Sequence, residues 1–218
     1  MRPGRLRESI RGLALVIVVA VASACSSAPA GPSQSSCPGS APAHAAAGSV
    51  ATVTVETPKG QIAMKLETDL APAAVANFLA LARCGFYDGV VFHRLVPGFV
   101  IQGGDGQFGK SSRLDKSRVG TGGPGYTIDD DPVTATYERG VVAMARTQQP
   151  HSEGSQFFIV LSDGARSPLE SANTYAIMGH VTSGMDVVDA IAAMQNSGEP
   201  NNAALDPVPM SNVTVKTP

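Results

Sequence analysis

The chain has 218 residues, 43% of them hydrophobic and 16% charged, with a formal net charge of −2, three Cys, four His and no Trp. That composition can bury a core, but it offers no basic field for nucleic acid. No CxxC or HExxH spacing occurs, so the Cys and His residues point away from zinc, and the length fits one domain with appendages.

The first elements are an address and a spacer. Arg2, Arg5, Arg7 and Arg11 precede an unbroken apolar run from Leu13 to Val21. The run is about a dozen residues even with its flanking alanines, short of the ~20 that a spanning helix needs. Residues 1–24 therefore read as a cleaved secretory signal. Ala22-Ser23-Ala24-Cys25 follows. The stretch VASAC resembles a bacterial lipobox, with Ala22 where Leu is usual, and the reading favours lipidation of Cys25 over ordinary cleavage beside it. The expected location is the extracytoplasmic face of the cell membrane, held only by an N-terminal lipid, with secretion as the alternative.

Residues 25–49 read as a disordered Ala/Pro/Ser/Gly tether. From residue 26 to residue 49 there is no Asp, Glu, Lys or Arg and almost no large apolar side chain to offset the entropy of ordering. Random-coil scaling gives that stretch a reach of about 27 Å. Without residues 1–24, which hold four Arg and one Glu, the formal charge becomes −5, a further argument against nucleic acid or anionic lipid as electrostatic partners. An oxidising compartment would permit a Cys37–Cys84 disulfide. Because Cys37 lies in the tether and Cys84 ends a predicted helix, the reading favours free thiols.

The domain spans residues 50–218. Val50 to Thr57 and Gln61 to Glu67 alternate as strands around a Pro58-Lys59-Gly60 turn. Asp69 is the expected cap of a helix with Pro72 in its first turn and a stripe of Val75, Phe78, Leu79 and Ala82, ended by Gly85. Strands are expected at Val90 to Val96, Phe99 to Gln102, Gly140 to Arg146, Gln156 to Leu161 and Tyr175 to Val181. A second helix is expected from Met185 to Gln195, and a last strand around Val213 and Val215. Many short strands and two isolated helices argue for a closed antiparallel barrel with helices over its ends.

Two connectors are rich in glycine or polar residues. Gly103 to Thr127 has no GK[ST] and opens no helix, so it reads as an Ω-like loop rather than a phosphate cradle. Thr147 to Ser155 is the other. Asp129-Asp130-Asp131-Pro132 lacks the alternating ligands of a calcium loop and reads as a solvated turn. No GxSxG and no plausible Cys–His pairing supports acyl transfer.

What remains is FHRLVPGFVIQGGD at 92–105 and GSQFFIV at 154–160. The first closely resembles the FHR-x-x-PGF-x-x-QGGD signature of cyclophilins, the peptidyl-prolyl cis–trans isomerases. The second, with VVAMA at 141–145, resembles their other signature, and GTGGPGY at 120–126 and YAIMGHV at 175–181 sit where that family has a GTGG loop and a late strand. The resemblance covers residues 50–218. It implies an eight-stranded antiparallel β-barrel capped by two α-helices, and an isomerase that needs no cofactor or metal.

That activity needs no nucleophile. Rotation about a peptide bond faces ~18–20 kcal/mol because amide resonance is lost at the twisted state. Reaching about 10³ per second from roughly 0.01 per second takes only ~7 kcal/mol of transition-state stabilisation. Twisting leaves a lone pair on the proline nitrogen, and arginine is a permanently charged donor for it. The resemblance puts Arg94 in that role, with Gln102 orienting it and reaching the substrate backbone. Phe99, Val100, Phe158 and Leu169 line the proline pocket, Ala145 borders it, and Tyr175 stands where many relatives have His. Main-chain groups near Arg146 pair with an extended substrate. Met is common where Val100 stands, and Asn where Arg146 stands. The frequent Trp is missing from the loop holding Pro168 and Leu169, which is about two residues longer, so weakened cyclosporin affinity is implied.

Met in isolation, Phe99, Val100 and Phe158 would be ordinary core residues, and only their joint occurrence in the two signatures reverses this. The expected partners are proline-containing unfolded or extended polypeptides bound by a monomer, in support of folding of exported or envelope proteins. The alternative is a non-catalytic proline-peptide-binding or chaperone module at the envelope.

Overall fold

The computed structural model describes residues 36–217. The address segment, Cys25 and the start of the tether lie outside the described residues. Strand β1 (Val50–Thr57) and strand β2 (Gly60–Glu67) form the expected hairpin, paired from Val50 with Glu67 to Thr57 with Gly60. Helix α1 (Pro72–Arg83) follows, then β3 (Val91–Val96), β4 (Val100–Gly103), β5 (Val141–Met144) and β6 (Phe157–Val160). Helix α2 (Arg166–Ala172), β7 (Ile177–Ser183), α3 (Met185–Ala192), β8 (Ala203–Pro209) and β9 (Asn212–Lys216) complete the chain.

The expected closed eight-stranded barrel with two helices is corrected to one curled, antiparallel, nine-stranded sheet with three helices. Its order is β8-β3-β4-β6-β5-β7-β2-β1-β9. The additional strand is β8, which carries Pro207 and Pro209. Proline cannot donate to a ladder, so such a sequence belongs on an edge and cannot pair on both sides. The two edge strands are joined by only Met210 and Ser211, so the sheet must curl. Met210 N–H donates to Val90 C=O at 2.8 Å, and Ser211 N–H to Glu56 C=O at 2.7 Å, linking both sides of the seam. The additional helix is α2, read from sequence as part of a loop. Pro168 is tolerated because it falls in the first turn, where no intrahelical N–H bond is needed, and Asn173 ends the helix in a left-handed conformation.

The curl gives β4, β5 and β6 two buried faces. Ile101, Val142, Met144, Phe157 and Ile159 join the interior core, while Val100, Val141, Ala143, Phe158 and Val160 join a smaller outer cluster with Leu169 of α2. Period-two alternation with apolar residues on both faces explains the continuous runs VVAM and FFIV. Inside, the Phe78 and Tyr87 rings stack with centroids 4.7 Å apart, and Phe157 meets Phe78 edge-on at 5.3 Å.

Four local expectations also change. Asp69 does not cap α1; it accepts the Gly48 N–H at 2.7 Å, and the residue before the helix is Ala71. The orphan N–H groups of Ala73 and Ala74 instead donate to Asp131, 58 and 57 residues away in sequence, at 3.3 and 2.8 Å. Asp131 is therefore buried, not part of a solvated turn. Replacing it with alanine is expected to destabilise the domain by about 1–2 kcal/mol, the usual cost of losing an N-terminal cap, read as a lower urea midpoint with an unchanged slope.

Cys37 and Cys84 form a disulfide, with Cα atoms 5.1 Å apart, rather than remaining free. The second half of the segment read as a tether is docked on the domain. Thr68 Oγ1 donates to Ala46 C=O at 2.8 Å, Ser49 N–H donates to Thr68 Oγ1 at 2.9 Å, and Ala45 N–H donates to Pro72 C=O at 3.2 Å. Low complexity hid this because the anchoring groups are main-chain atoms and one sulfur, not side chains with a periodic signature.

Candidate active site

The site starts from an irregularity in β3. Phe92 and Leu95 both belong to the interior core, although a regular strand puts residues two apart on one face. The ladders of β3 with β4 and with β8 both shift between Phe92 and Arg94, so His93 is the extra residue of a β-bulge. The bulge turns Arg94 to the outer face, opposite Gln102 of β4. Gln102 in turn pairs with Phe158 of β6, and Phe158 with Ala143 of β5.

Pro97 and Gly98 form the turn between β3 and β4. Gly98 has φ +70°, and Phe99 N–H donates to Val96 C=O at 3.0 Å. This is the type II arrangement, with Pro second and Gly third, and it delivers Phe99 to the rim. Leu169 comes from α2 and Tyr175 from the segment before β7, where its ring meets Phe158 edge-on at 5.4 Å.

Arg94, Phe99, Val100, Gln102, Ala145, Arg146, Phe158, Leu169 and Tyr175 all line one cavity of about 150 Å³. Every site residue expected in the domain is thus brought together. Its floor is apolar: Val100, Phe158 and Leu169 are buried, while Phe99 and Tyr175 are half-buried. A larger hollow of about 540 Å³ shares Gln102, Ala145 and Arg146 with it and extends along the glycine-rich connector to Tyr126.

Arg94 is half-buried, and among the described residues it has no carboxylate partner. Desolvation lowers its pKa from the ordinary arginine value, partly opposed by Tyr175, and the guanidinium stays charged. Its Nη1 donates to Gln102 Oε1 at 3.4 Å, the long end of hydrogen bonding. Gln102 Nε2 donates to Gln156 Oε1 at 2.9 Å, and Gln156 Nε2 donates to the carbonyls of Gly120 and Gly122 at 3.0 and 2.8 Å. This chain of amides sets the orientation of Gln102. Burial pushes the neighbouring His93 down to about 4, so its imidazole is neutral at pH 7 and adds no second cation beside Arg94.

The glycine-rich connector is shaped around Asp105, which is fully buried. Oδ1 accepts the N–H groups of Gln107 and Phe108 at 3.0 and 2.9 Å, and Oδ2 those of Gly120 and Gly122 at 2.8 and 2.9 Å. Gly120 has φ +94°, and a Cβ on Gly122 would stand 2.5 Å from Asp105 Oδ1; other residues would not fit. The anion filling this nest of amides is the chain's own carboxylate.

Arg146 presents its backbone to the groove, not its charge. Its guanidinium pairs with Asp130 at 2.8 Å and its side chain is 7% exposed. Its own N–H and C=O have no main-chain partner among the described residues, so they are available to an extended peptide. Sequence reasoning missed Gln156, Asp105, Asp130 and Glu153. Gln156 lies inside GSQFFIV and Asp105 ends QGGD, so their motifs carried a signal; the two acids gave none.

The comparisons with known proteins agree with this geometry. A family model described as cyclophilin type peptidyl-prolyl cis-trans isomerase/CLD matches residues 52–215. A probable peptidyl-prolyl cis-trans isomerase of Brucella suis biovar 1 (strain 1330) is 42% identical over 169 residues, covering 76% of this chain and 82% of that protein. Peptidyl-prolyl cis-trans isomerase B of Escherichia coli (strain K12) is 36% identical over 169 residues, covering 75% and 98%. The crystal structure of a Cryptosporidium parvum cyclophilin type peptidyl-prolyl cis-trans isomerase in the presence of the dipeptide Ala-Pro is similar with a TM-score of 0.62 at 26% identity, covering 76% and 98%. The chain belongs to the cyclophilin-type peptidyl-prolyl cis–trans isomerases, and it is an isomerase.

Proposed function

We propose that the 150 Å³ cavity takes the proline ring of an extended Xaa-Pro segment and that Arg94 donates a hydrogen bond to the proline nitrogen as the amide twists. The single observation that carries this reading is a charged donor, without a carboxylate partner among the described residues, at the mouth of an apolar cavity. A carboxylate there would neutralise the donor; instead the Gln102–Gln156 chain orients its surroundings and leaves charge available. The apolar floor also favours the less dipolar twisted amide over the planar one. Phe99, Val100, Phe158, Leu169 and Tyr175 hold the ring, Ala145 borders it, and the Arg146 main chain pairs with the substrate strand. A docking module would leave the Arg94 charge without a task.

The clients in this reading are unfolded or extended chains exported to the cell envelope, met by a monomer anchored through Cys25 or secreted. The Cys37–Cys84 disulfide supports an oxidising compartment. The absence of Trp supports weakened cyclosporin affinity. The test is exchange spectroscopy on an Ala-Pro peptide: the wild-type chain at pH 6.5 is expected to accelerate cis–trans interconversion at substoichiometric concentration. Uncatalysed exchange throughout would overturn the reading.

A further inference from the structure

Behind the groove wall, sharing only Arg146 with the cavity lining, lies a charged cluster of Asp130, Asp131, Glu153 and Arg146, in which Asp131 and Glu153 are buried and Asp130 is half-buried. Arg146 is its only base. It pairs with Asp130 at 2.8 Å and gives its remaining donors to the carbonyls of Thr147, Gln149 and Thr174 at 3.2, 2.8 and 3.4 Å. Asp131 is occupied by the end of α1. Glu153 is fully buried, and its Oε1 accepts the Ala176 N–H at 3.3 Å. Two carboxylate oxygens are left buried without a partner, Glu153 Oε2 and Asp130 Oδ1. Three acids facing one base, two of them buried, are costly if all are charged, and protonating Glu153 removes the least compensated charge.

The cluster touches both walls of the groove. Arg146 carries the rim main chain on one side. On the other, Ala176 follows Tyr175, whose own backbone is held by Tyr137: the Tyr137 hydroxyl donates to Tyr175 C=O at 2.8 Å and accepts the Tyr175 N–H at 3.2 Å. Burial pushes Tyr137 up to about 12, so it does not titrate near neutrality. Asp129 and His151, the nearest other charges in sequence, pair with each other at 3.2 Å on the exposed surface.

We propose that Glu153 is a positioning residue of the groove, acting in its protonated form through the Arg146–Asp130 pair on one wall and through Ala176 and Tyr175 on the other. The inference rests on the cavity being the substrate site. Ionised Glu153 would compete with Asp130 for the one guanidinium and so disturb the rim. Burial first, then the charges of Asp130 and Asp131, raise the Glu153 carboxyl from 4.5 to about 8, with the Ala176 N–H and Arg146 opposing. A raised folded-state pKa means stabilisation that is complete below about 4.5 and is lost as pH rises through about 8. Substrate affinity should follow the same protonation.

The test is kcat and KM for Ala-Pro exchange on the full chain from pH 6 to 9.5, with circular dichroism at each pH. Wild type is expected to show KM rising at least about threefold through a midpoint near 8, with kcat nearly level, since Arg94 stays charged. Glu153→Gln keeps an acceptor for Ala176 but cannot ionise, and its profile is expected to be flat. In parallel, the wild-type Arg146 and Ala176 amide resonances should titrate with that midpoint, a readout that does not depend on the variant folding. A flat wild-type profile, the same rise in Glu153→Gln, or amides that do not titrate would each overturn the proposal. No catalysis by wild type at pH 6.5 would overturn the substrate-site reading instead, leaving the amide titration to decide the cluster.

Discussion

Replacing Arg94 with alanine is expected to lower kcat/KM for an Ala-Pro peptide by about 10²–10³-fold, the usual cost of removing one preoriented donor to a transition state. The loss should fall mainly on kcat, because the proline nitrogen accepts a hydrogen bond only once the amide is twisted. Stability should change little. Arg94 is half-buried on the outer face and has no carboxylate partner among the described residues, so its removal strands no buried charge. Arg94→Lys should recover only part of the rate, since an ammonium lacks the planar fork that meets both Gln102 and a substrate. A loss confined to KM would show that Arg94 binds the ground state and is not the donor. Unchanged melting with a rate loss below about threefold would remove it from the mechanism altogether.

The second large effect concerns Cys37 and Cys84. Breaking their bond, by reduction or by Cys84→Ser, is expected to lower stability by about 2–4 kcal/mol in urea unfolding. The bond spans 47 residues of sequence, and in the unfolded chain it restricts a loop holding β1, β2 and α1. In the folded state the reduced chain can also release residues 38–49, whose remaining links include a few hydrogen bonds to Thr68, Asp69 and Pro72. Reduction should therefore open this segment to proteolysis before the domain unfolds. Identical midpoints with and without reductant would show that the bond neither forms nor constrains the chain.

The strands and the long helices were legible because their signals are local. Alternation in VATVTVET and the 3.6-residue stripe of α1 report burial within a few positions of the residue concerned. Beta8 was not legible: ALDPVP looks like a breaker, and it becomes a strand only because β3 offers an edge and curling brings that edge within reach. Helix α2 was hidden for a related reason, since seven residues with an early proline lie below what periodicity detects.

The cavity residues were legible through two motifs, and the structure gathers all nine. Their orientation was not. Period-two reading would place Arg94 on the same face as Phe92, inside the core; the extra residue at His93 reverses it. A bulge leaves no mark in composition, because it depends on how the partner strands register.

Residue chemistry and local pattern settled what could be read along the chain: a permanent cation beside apolar side chains, strands by alternation, and a glycine-rich connector as a loop. Long-range packing settled the rest. It placed Asp131 at the end of a helix 57 residues earlier, joined Cys37 to Cys84, turned Arg94 outward, and buried Glu153 beside two other acids. These features depend on partners brought close only by the fold, where desolvation strengthens every unpaired charge, and no window of neighbouring residues contains that information.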